Sequence, residues 1–249
     1  MIILLATKPY SNRKGSEELL TLKTIDTGSS GNCYILTCNN EKLILDCGLP
    51  IKAIKQGLDF DLQGIQGVLV THCHKDHSLS VDDFKKMGFD VWQPYLDENK
   101  MQRRYFGGFM VCSFDVPHDD VSCVGYLIEC PNGEKLLYAT DFEYIKYSFR
   151  KMRIQHALIE CNYCKELVEI DAENRSHVLR GHAEMHTTLS IADDNKDSLQ
   201  NVILCHLSNS NSDSERMVAE IQKIVPGANV CVAERGLEVE LRNKNECPF

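Results

Sequence analysis

The sequence predicts one layered α/β domain, with sheets inside and helices outside. Three observations carry this. About a dozen short apolar runs alternate with turn residues along the chain. Helical patterns are scattered among those runs instead of being grouped at one end. No Gly/Ser linker, internal repeat or low-complexity tract divides the chain. Its 249 residues suit one large domain or two small ones, and 43% apolar residues supply a sizeable core.

The elements follow in order. Strands are expected at 22–28, 33–38 and 42–48, the last two joined through a hairpin turn at Asn39-Asn40. A helix is expected at 50–57, opened by Pro50, whose fixed φ suits a first turn. The run at 67–72 reads as a buried strand, followed by a helix at 78–87, a strand at 89–94 and a helix at 95–104. Strands at 109–116 and 122–130 precede an Asn132-Gly133 turn and a strand at 135–141. The rest reads as strand 156–161, helix 187–198, strand 201–207, helix 213–225 and strands 229–234 and 237–241. Ser212 or Asp213 caps the last helix, and Pro226-Gly227 ends it. The domain is drawn as residues 22–249, with 1–21 as an N-terminal extension of no assigned role. The opening MIILLA has no basic flank and no cleavage site, so it is not read as a signal peptide.

A net charge of −9 excludes a globally basic coat for nucleic acid, so an anionic substrate needs a local patch or metal ions. Two stretches offer basic residues interleaved with aromatics: Lys100, Arg103 and Arg104 with Tyr105 and Phe106, and Lys146, Arg150, Lys151 and Arg153 with Tyr147 and Phe149. No apolar run reaches the roughly 18 residues that span a bilayer. The twelve cysteines fall largely inside strand-like runs, which points to buried thiols and a reducing, cytoplasmic setting. Cys161 and Cys164 have a tempting spacing, but no second pair completes a zinc ribbon.

The chemistry concentrates at residues 71–77, THCHKDH. His72 and His74 stand two apart, so extended chain turns both to one side and Cys73 to the other. Asp76 and His77 follow as the chain turns toward a helix. Imidazole and carboxylate together suit zinc, iron or manganese. Further ligands are expected where apolar runs stop, and His118, Asp141 and His206 stand at such points.

With HxHxDH behind an apolar strand, residues 22–242 resemble the metallo-β-lactamase superfamily. That resemblance implies an αββα sandwich, two central mixed sheets with helices outside, around a dinuclear centre. It assigns His72, His74 and His118 to one metal and Asp76, His77 and His206 to the other, with Asp141 bridging. Asp46 of LILDCG matches the early aspartate that orients the ligands. The implied cofactors are two divalent metal ions, zinc ahead of manganese and iron.

The flanks are similar to the YycJ/WalJ branch of single-domain hydrolases, through DTGSSGNCYIL, VPHDDVSCVGYLI, IECNY, RGHAEMHTT and ILCHLSNSNSD. The chain departs from that branch in Asp-Phe-Glu at 141–143 and in Ala183-Glu184 after His182. The branch implies a metal-dependent phosphodiesterase, first of all a DNA exonuclease, with nucleic acid as partner and no membrane. Two metals about 3.5–4 Å apart generate the nucleophile from water at neutral pH, so no protein nucleophile is required. Asp76 counts among the catalytic residues, and His182 is the candidate general acid, with His177 and His186 as substitutes. The Ser29-Ser30-Gly31-Asn32 turn offers a nest of backbone N–H groups for phosphate. Ser208 and Asn209 are further substrate-binding candidates. His156, at a strand start, reads as structural. The alternative function is a small-molecule metallo-hydrolase of thioester, lactone or lactam type.

Overall fold

The computed structural model describes residues 19–169 and 175–241, with only the backbone at 175–177. The extension drawn at 1–21 lies outside the described residues except for its end, and that end belongs to the domain: β1 (Leu20–Asp26) begins two residues earlier than the boundary. β2 (Cys33–Cys38) and β3 (Glu41–Leu45) continue an antiparallel meander through a turn at Asn39, whose φ is 55°. α1 (Ile51–Gly57) then crosses to β4 (Ile65–Leu69), and α2 (Lys75–Ser78) and α3 (Val81–Lys86) cross to β5 (Val91–Trp92), giving parallel pairs. β6 (Arg103–Phe106), β7 (Phe109–His118), β8 (Val121–Glu129) and β9 (Lys135–Ala139) form a second meander. β10 (His156–Glu160) pairs parallel to β9. α4 (Arg175–Gly181) and α5 (Met185–Asn195) lead to β11 (Asn201–Cys205), and α6 (Ser214–Ile224) leads to β12 (Asn229–Val232). β13 (Glu238–Glu240) returns to pair with β1.

Among the described residues the result is a 6-stranded sheet, β13-β1-β2-β3-β4-β5, and a 7-stranded sheet, β12-β11-β10-β9-β8-β7-β6. Both are mixed, as the sandwich requires. Strand alternation explains the layers. Leu158 and Ile203 face a core shared with Leu36, Leu43, Ile44 and Val68 of the first sheet. Their neighbours Ala157, Ile159, Val202 and Leu204 face the other way, beneath Met185 and Ala192 of α5 and Met217 and Ile221 of α6. Each fully buried Leu, Ile or Val contributes roughly 1.5–3 kcal/mol. No helix among the described residues is long and apolar enough to cross a membrane.

Four departures from the sequence reading have physical causes. The helix expected at 95–104 is absent: one 3-10 turn at Pro94–Leu96 gives way to edge strand β6. There, Arg104 lies over the rings of Trp92 and Phe106 and pairs with Asp90, and tertiary packing overrides local pattern. The helix expected at 78–87 breaks between α2 and α3, where the Ser80 hydroxyl donates to Leu49 O at 2.5 Å and Ser80 N to Cys47 O at 3.0 Å. The strand expected to end at His72 stops at Leu69, so His72 and His74 sit in loop and Asp76 and His77 in α2. α4 was missed because its sequence, RSHVLRG, has no apolar repeat.

Candidate metal centre and active site

Parallel pairing brings the site together. Glu160 pairs in register with Cys205, and Ala139 with Ile159, so β9, β10 and β11 end at one edge. Asp141, Glu160 and His206 therefore emerge side by side, as functional groups do at the carboxyl ends of parallel strands. In the first sheet Leu45 pairs with Leu69, and Asp46 N donates to Leu69 O at 2.8 Å, which aligns Asp46 with the loop carrying His72. Asp46, Asp141 and His206 all take left-handed backbone, with φ of 56°, 53° and 53°. Such non-glycine residues cost on the order of 1–3 kcal/mol each and persist where the surroundings fix them.

Four sets of donor atoms lie within 4.8 Å of one another: His72, His74 and His118; His72, His77 and Asp141; Asp76, His77 and His206; and Asp141, Glu160, His182 and His206. Nε2 of His72 and Nε2 of His118 stand 3.0 Å and 3.3 Å from Nδ1 of His74. Asp141 spans the sets. Its Oδ2 is 2.8 Å from His77 Nε2, and its Oδ1 is 3.2 Å from His182 Nδ1 and 3.6 Å from His206 Nε2. Asp76 Oδ2 is 3.5 Å from His77 Nε2 and 3.8 Å from His206 Nε2.

The outer ring nitrogens are tethered, which turns Nε2 inward. His118 Nδ1 donates to Gly181 O at 2.6 Å. His72 Nδ1 lies 3.1 Å from the Thr71 hydroxyl, His77 Nδ1 2.7 Å from Asp46 Oδ2, and His206 Nδ1 3.2 Å from Glu160 Oε1. Asp46 is fully buried and also accepts from Thr71 N at 2.8 Å and Tyr138 OH at 2.5 Å. His206 Nε2 is buried without a hydrogen-bond partner. A buried ring nitrogen with no partner, among converging lone pairs and carboxylates, is what a cation satisfies. The residues present therefore fit the two metal ions that the resemblance implies. Cys73 is exposed and belongs to none of the sets, and Cys161 and Cys164 are buried free thiols outside them.

Burial sets the protonation pattern together with the local charges. His72 and His118 are pushed down by desolvation. Desolvation would also lower His77 and His206, but the carboxylates around them together outweigh it: Asp141 and Asp46 hold His77 well above its ordinary value, and Asp141, Asp76 and Glu160 hold His206 at about 9. His182 would likewise fall by burial, yet the Glu160 and Asp141 carboxylates together raise it to about 10. Desolvation opposes ionisation of Asp76 and Asp141, and the histidines beside them still hold both below the usual carboxylate range.

Glu160 is the residue that sequence reasoning missed. It is fully buried, accepts from His182 Nδ1 at 2.8 Å and from Ala183 N at 2.9 Å, and lies against His206. Its signal was available: a charged residue closes the otherwise apolar strand HALIE, the same criterion that selected Asp141 and His206. Asn162, two residues on, donates to His206 O at 2.7 Å.

The substrate-binding candidates divide. Ser29 and Ser30 are exposed in the turn closed by Gly31 N donating to Gly28 O. Asn32 is fully buried, with its Nδ2 2.9 Å from His77 Nε2. Its side chain accepts from Gly28 N at 2.9 Å and donates to Gly28 O and Asp76 O, so it ties the turn to α2. Gly48 completes that junction, since an added Cβ would stand 1.7 Å from Asp76 O. Ser208 is half-buried and accepts from Asn211 N through its hydroxyl, while Asn209 is exposed. His186 is exposed at the start of α5, the side chain of His177 lies outside the described residues, and His156 is a buried partner of Glu134 and Asn201. In the basic stretches, Lys146 pairs with Asp115 and Arg150 with Asp197.

Comparison with known proteins agrees with this geometry. The family model described as metallo-beta-lactamase superfamily matches residues 26–104. The exodeoxyribonuclease YycJ of Bacillus anthracis is 24% identical over 246 residues, covering 86% of this chain and 92% of that protein. The exodeoxyribonuclease WalJ of Streptococcus pneumoniae is 27% identical over 169 residues, 57% of this chain and 62% of that protein. The metallo-beta-lactamase fold protein YhfI of Bacillus subtilis superposes with a TM-score of 0.65 at 16% identity, over 90% of this chain and 100% of that one.

Proposed function

We propose that this chain is a dinuclear-metal-dependent phosphodiesterase of the metallo-β-lactamase superfamily, acting on nucleic acid as a DNA exonuclease. His72, His74 and His118 hold one ion, Asp76, His77 and His206 the other, and Asp141 lies between them. When bound, such a pair supplies a nucleophile from water at neutral pH and neutralises charge on a phosphoryl group. Zinc suits the imidazole-rich donor set best, with manganese and iron as substitutes.

The observation that carries the reading is His182. Its Nδ1 donates to Glu160 at 2.8 Å and stands 3.2 Å from Asp141, so Nε2 is the ring nitrogen that would deliver a proton. Held at about 10, the ring is protonated at neutral pH, as an acid for a departing alkoxide must be. A sugar oxygen is such a leaving group. Likeness to two exodeoxyribonucleases supports DNA as the substrate. Free thiols at every described cysteine support a cytoplasmic location.

The test is a metal-dependent screen of labelled duplex DNA, single-stranded DNA, RNA and bis-p-nitrophenyl phosphate. Release of mononucleotides from DNA is expected. Turnover of bis-p-nitrophenyl phosphate with no polynucleotide cleaved would reduce the reading to a phosphodiesterase of another substrate class.

A further inference from the structure

We propose that Arg180 holds the phosphate next to the one being cut, so that the enzyme selects a polynucleotide over an isolated phosphodiester. This rests on the nuclease reading above.

Arg180 is tied to the site by its backbone. Its carbonyl accepts from Asp119 N at 3.0 Å, and the carbonyl of the next residue, Gly181, accepts from His118 Nδ1 at 2.6 Å. His182 follows immediately, with its ring centroid 5.6 Å from that of His118. The guanidinium stands 3.3 Å from Asp119 Oδ1 and keeps its side chain 58% exposed. A permanent cation thus sits at the rim, beside His118 at the end of β7 and His182 just after α4.

Charge gives this position a purpose. Asp46, Asp76, Asp141 and Glu160 crowd the interior, and the whole chain carries −9. The reacting phosphate meets the ions, but the next phosphate along a strand falls outside them and needs a counter-charge of its own. Three of the basic residues singled out in the sequence are engaged elsewhere. Arg104 lies over Trp92 and Phe106, Lys146 pairs with Asp115, and Arg150 pairs with Asp197. Arginine suits the task because its planar fork presents five N–H donors, enough to keep Asp119 and still bind phosphate. Asp119 holds the fork in place before substrate arrives, which lowers the ordering cost of binding.

The experiment compares a thymidine dinucleotide with the same dinucleotide carrying an added phosphate at its 5′ or its 3′ end. Both are cleaved by wild-type, Arg180→Ala and Arg180→Lys proteins loaded with metal. In wild type, one of the two added phosphates should raise kcat/KM about tenfold, mainly through KM. Arg180→Ala should lose that gain, and Arg180→Lys should keep part of it. On a longer single strand, the slope of log KM against log salt should become shallower by about 0.7 in Arg180→Ala, one phosphate's worth. The same gain in Arg180→Ala as in wild type overturns the proposal, and so does a wild type indifferent to both added phosphates. Loss of metal from Arg180→Ala, read by elemental analysis, would make Arg180 a prop for His118 and also overturn it. Failure of wild type to cut any dinucleotide or polynucleotide sinks the nuclease reading itself, and this proposal with it.

Discussion

Glu160 Oε1 lies 2.8 Å from Nδ1 of His182, a fully buried carboxylate behind a ring at the site's edge. A general acid matters only where the leaving group is basic. His182→Ala should therefore keep both ions and lower the rate about 10²–10⁴-fold on a DNA 3′-oxygen. On bis-p-nitrophenyl phosphate, whose leaving group departs without a proton, the loss should be much smaller. Equal losses on the two substrates would make His182 a structural or substrate-holding residue. Glu160→Gln should follow the same pattern more weakly, since glutamine can still accept from the ring but carries no charge.

The donor sets imply about two metal ions per chain. Elemental analysis of protein purified without chelator, or reconstituted with zinc or manganese, measures this. Bound ions should also raise the midpoint of thermal unfolding, and a chelator should lower it, because ions bind the assembled site and not the open chain. A stoichiometry near zero after reconstitution would remove the dinuclear centre from the account.

Ligands and bystanders should separate cleanly. Asp76→Ala or His206→Ala should strip one ion and nearly all hydrolysis. Cys73→Ser should leave metal content nearly unchanged, since Cys73 is exposed and outside every donor set. The reverse pattern would refute the ligand assignment.

Away from the site, Glu134 gives a prediction about pH. Burial would raise its carboxyl, but His156, by hydrogen bond and charge, together with Asn132 outweighs this and holds it below its ordinary value. A carboxyl depressed in the folded state stabilises the fold above the unfolded value, about 4.3, and loses that contribution as pH falls through the folded one. Glu134→Gln should therefore cost about 1 kcal/mol at pH 7 and progressively less as pH falls below about 4. Urea midpoints of both proteins at the two ends of that range decide it; a gap independent of pH would mean that the carboxylate's charge contributes nothing.

Much of this was legible in the sequence because short strands with sharp ends leave a mark. Asp141 and His206 stood out where apolar runs stopped, and the register of β9, β10 and β11 is what sets them side by side. Asn32 could not be told from Ser29 and Ser30 in the sequence, and only its three-dimensional contacts with Asp76 O and His77 Nε2 reveal it as a buried brace. Arg103 to Phe106 misled differently. A helix was expected through Arg104, but pairing with β7 decides the conformation of 103–106, and that partner is invisible to a local pattern.

The hydroxyl of Thr27 accepts from His206 N at 3.0 Å, across 179 residues of chain. The first ligands of the centre are translated early and the last very late, and the two are joined by contacts between sheets. A ribosome-bound chain that has not yet released β11 lacks His206 altogether, so a full metal pair can be loaded only after synthesis of the second sheet. A chain stopped short of β11 carries every proposed ligand except His206, so it would offer one ion a full set of donors and the other an incomplete one.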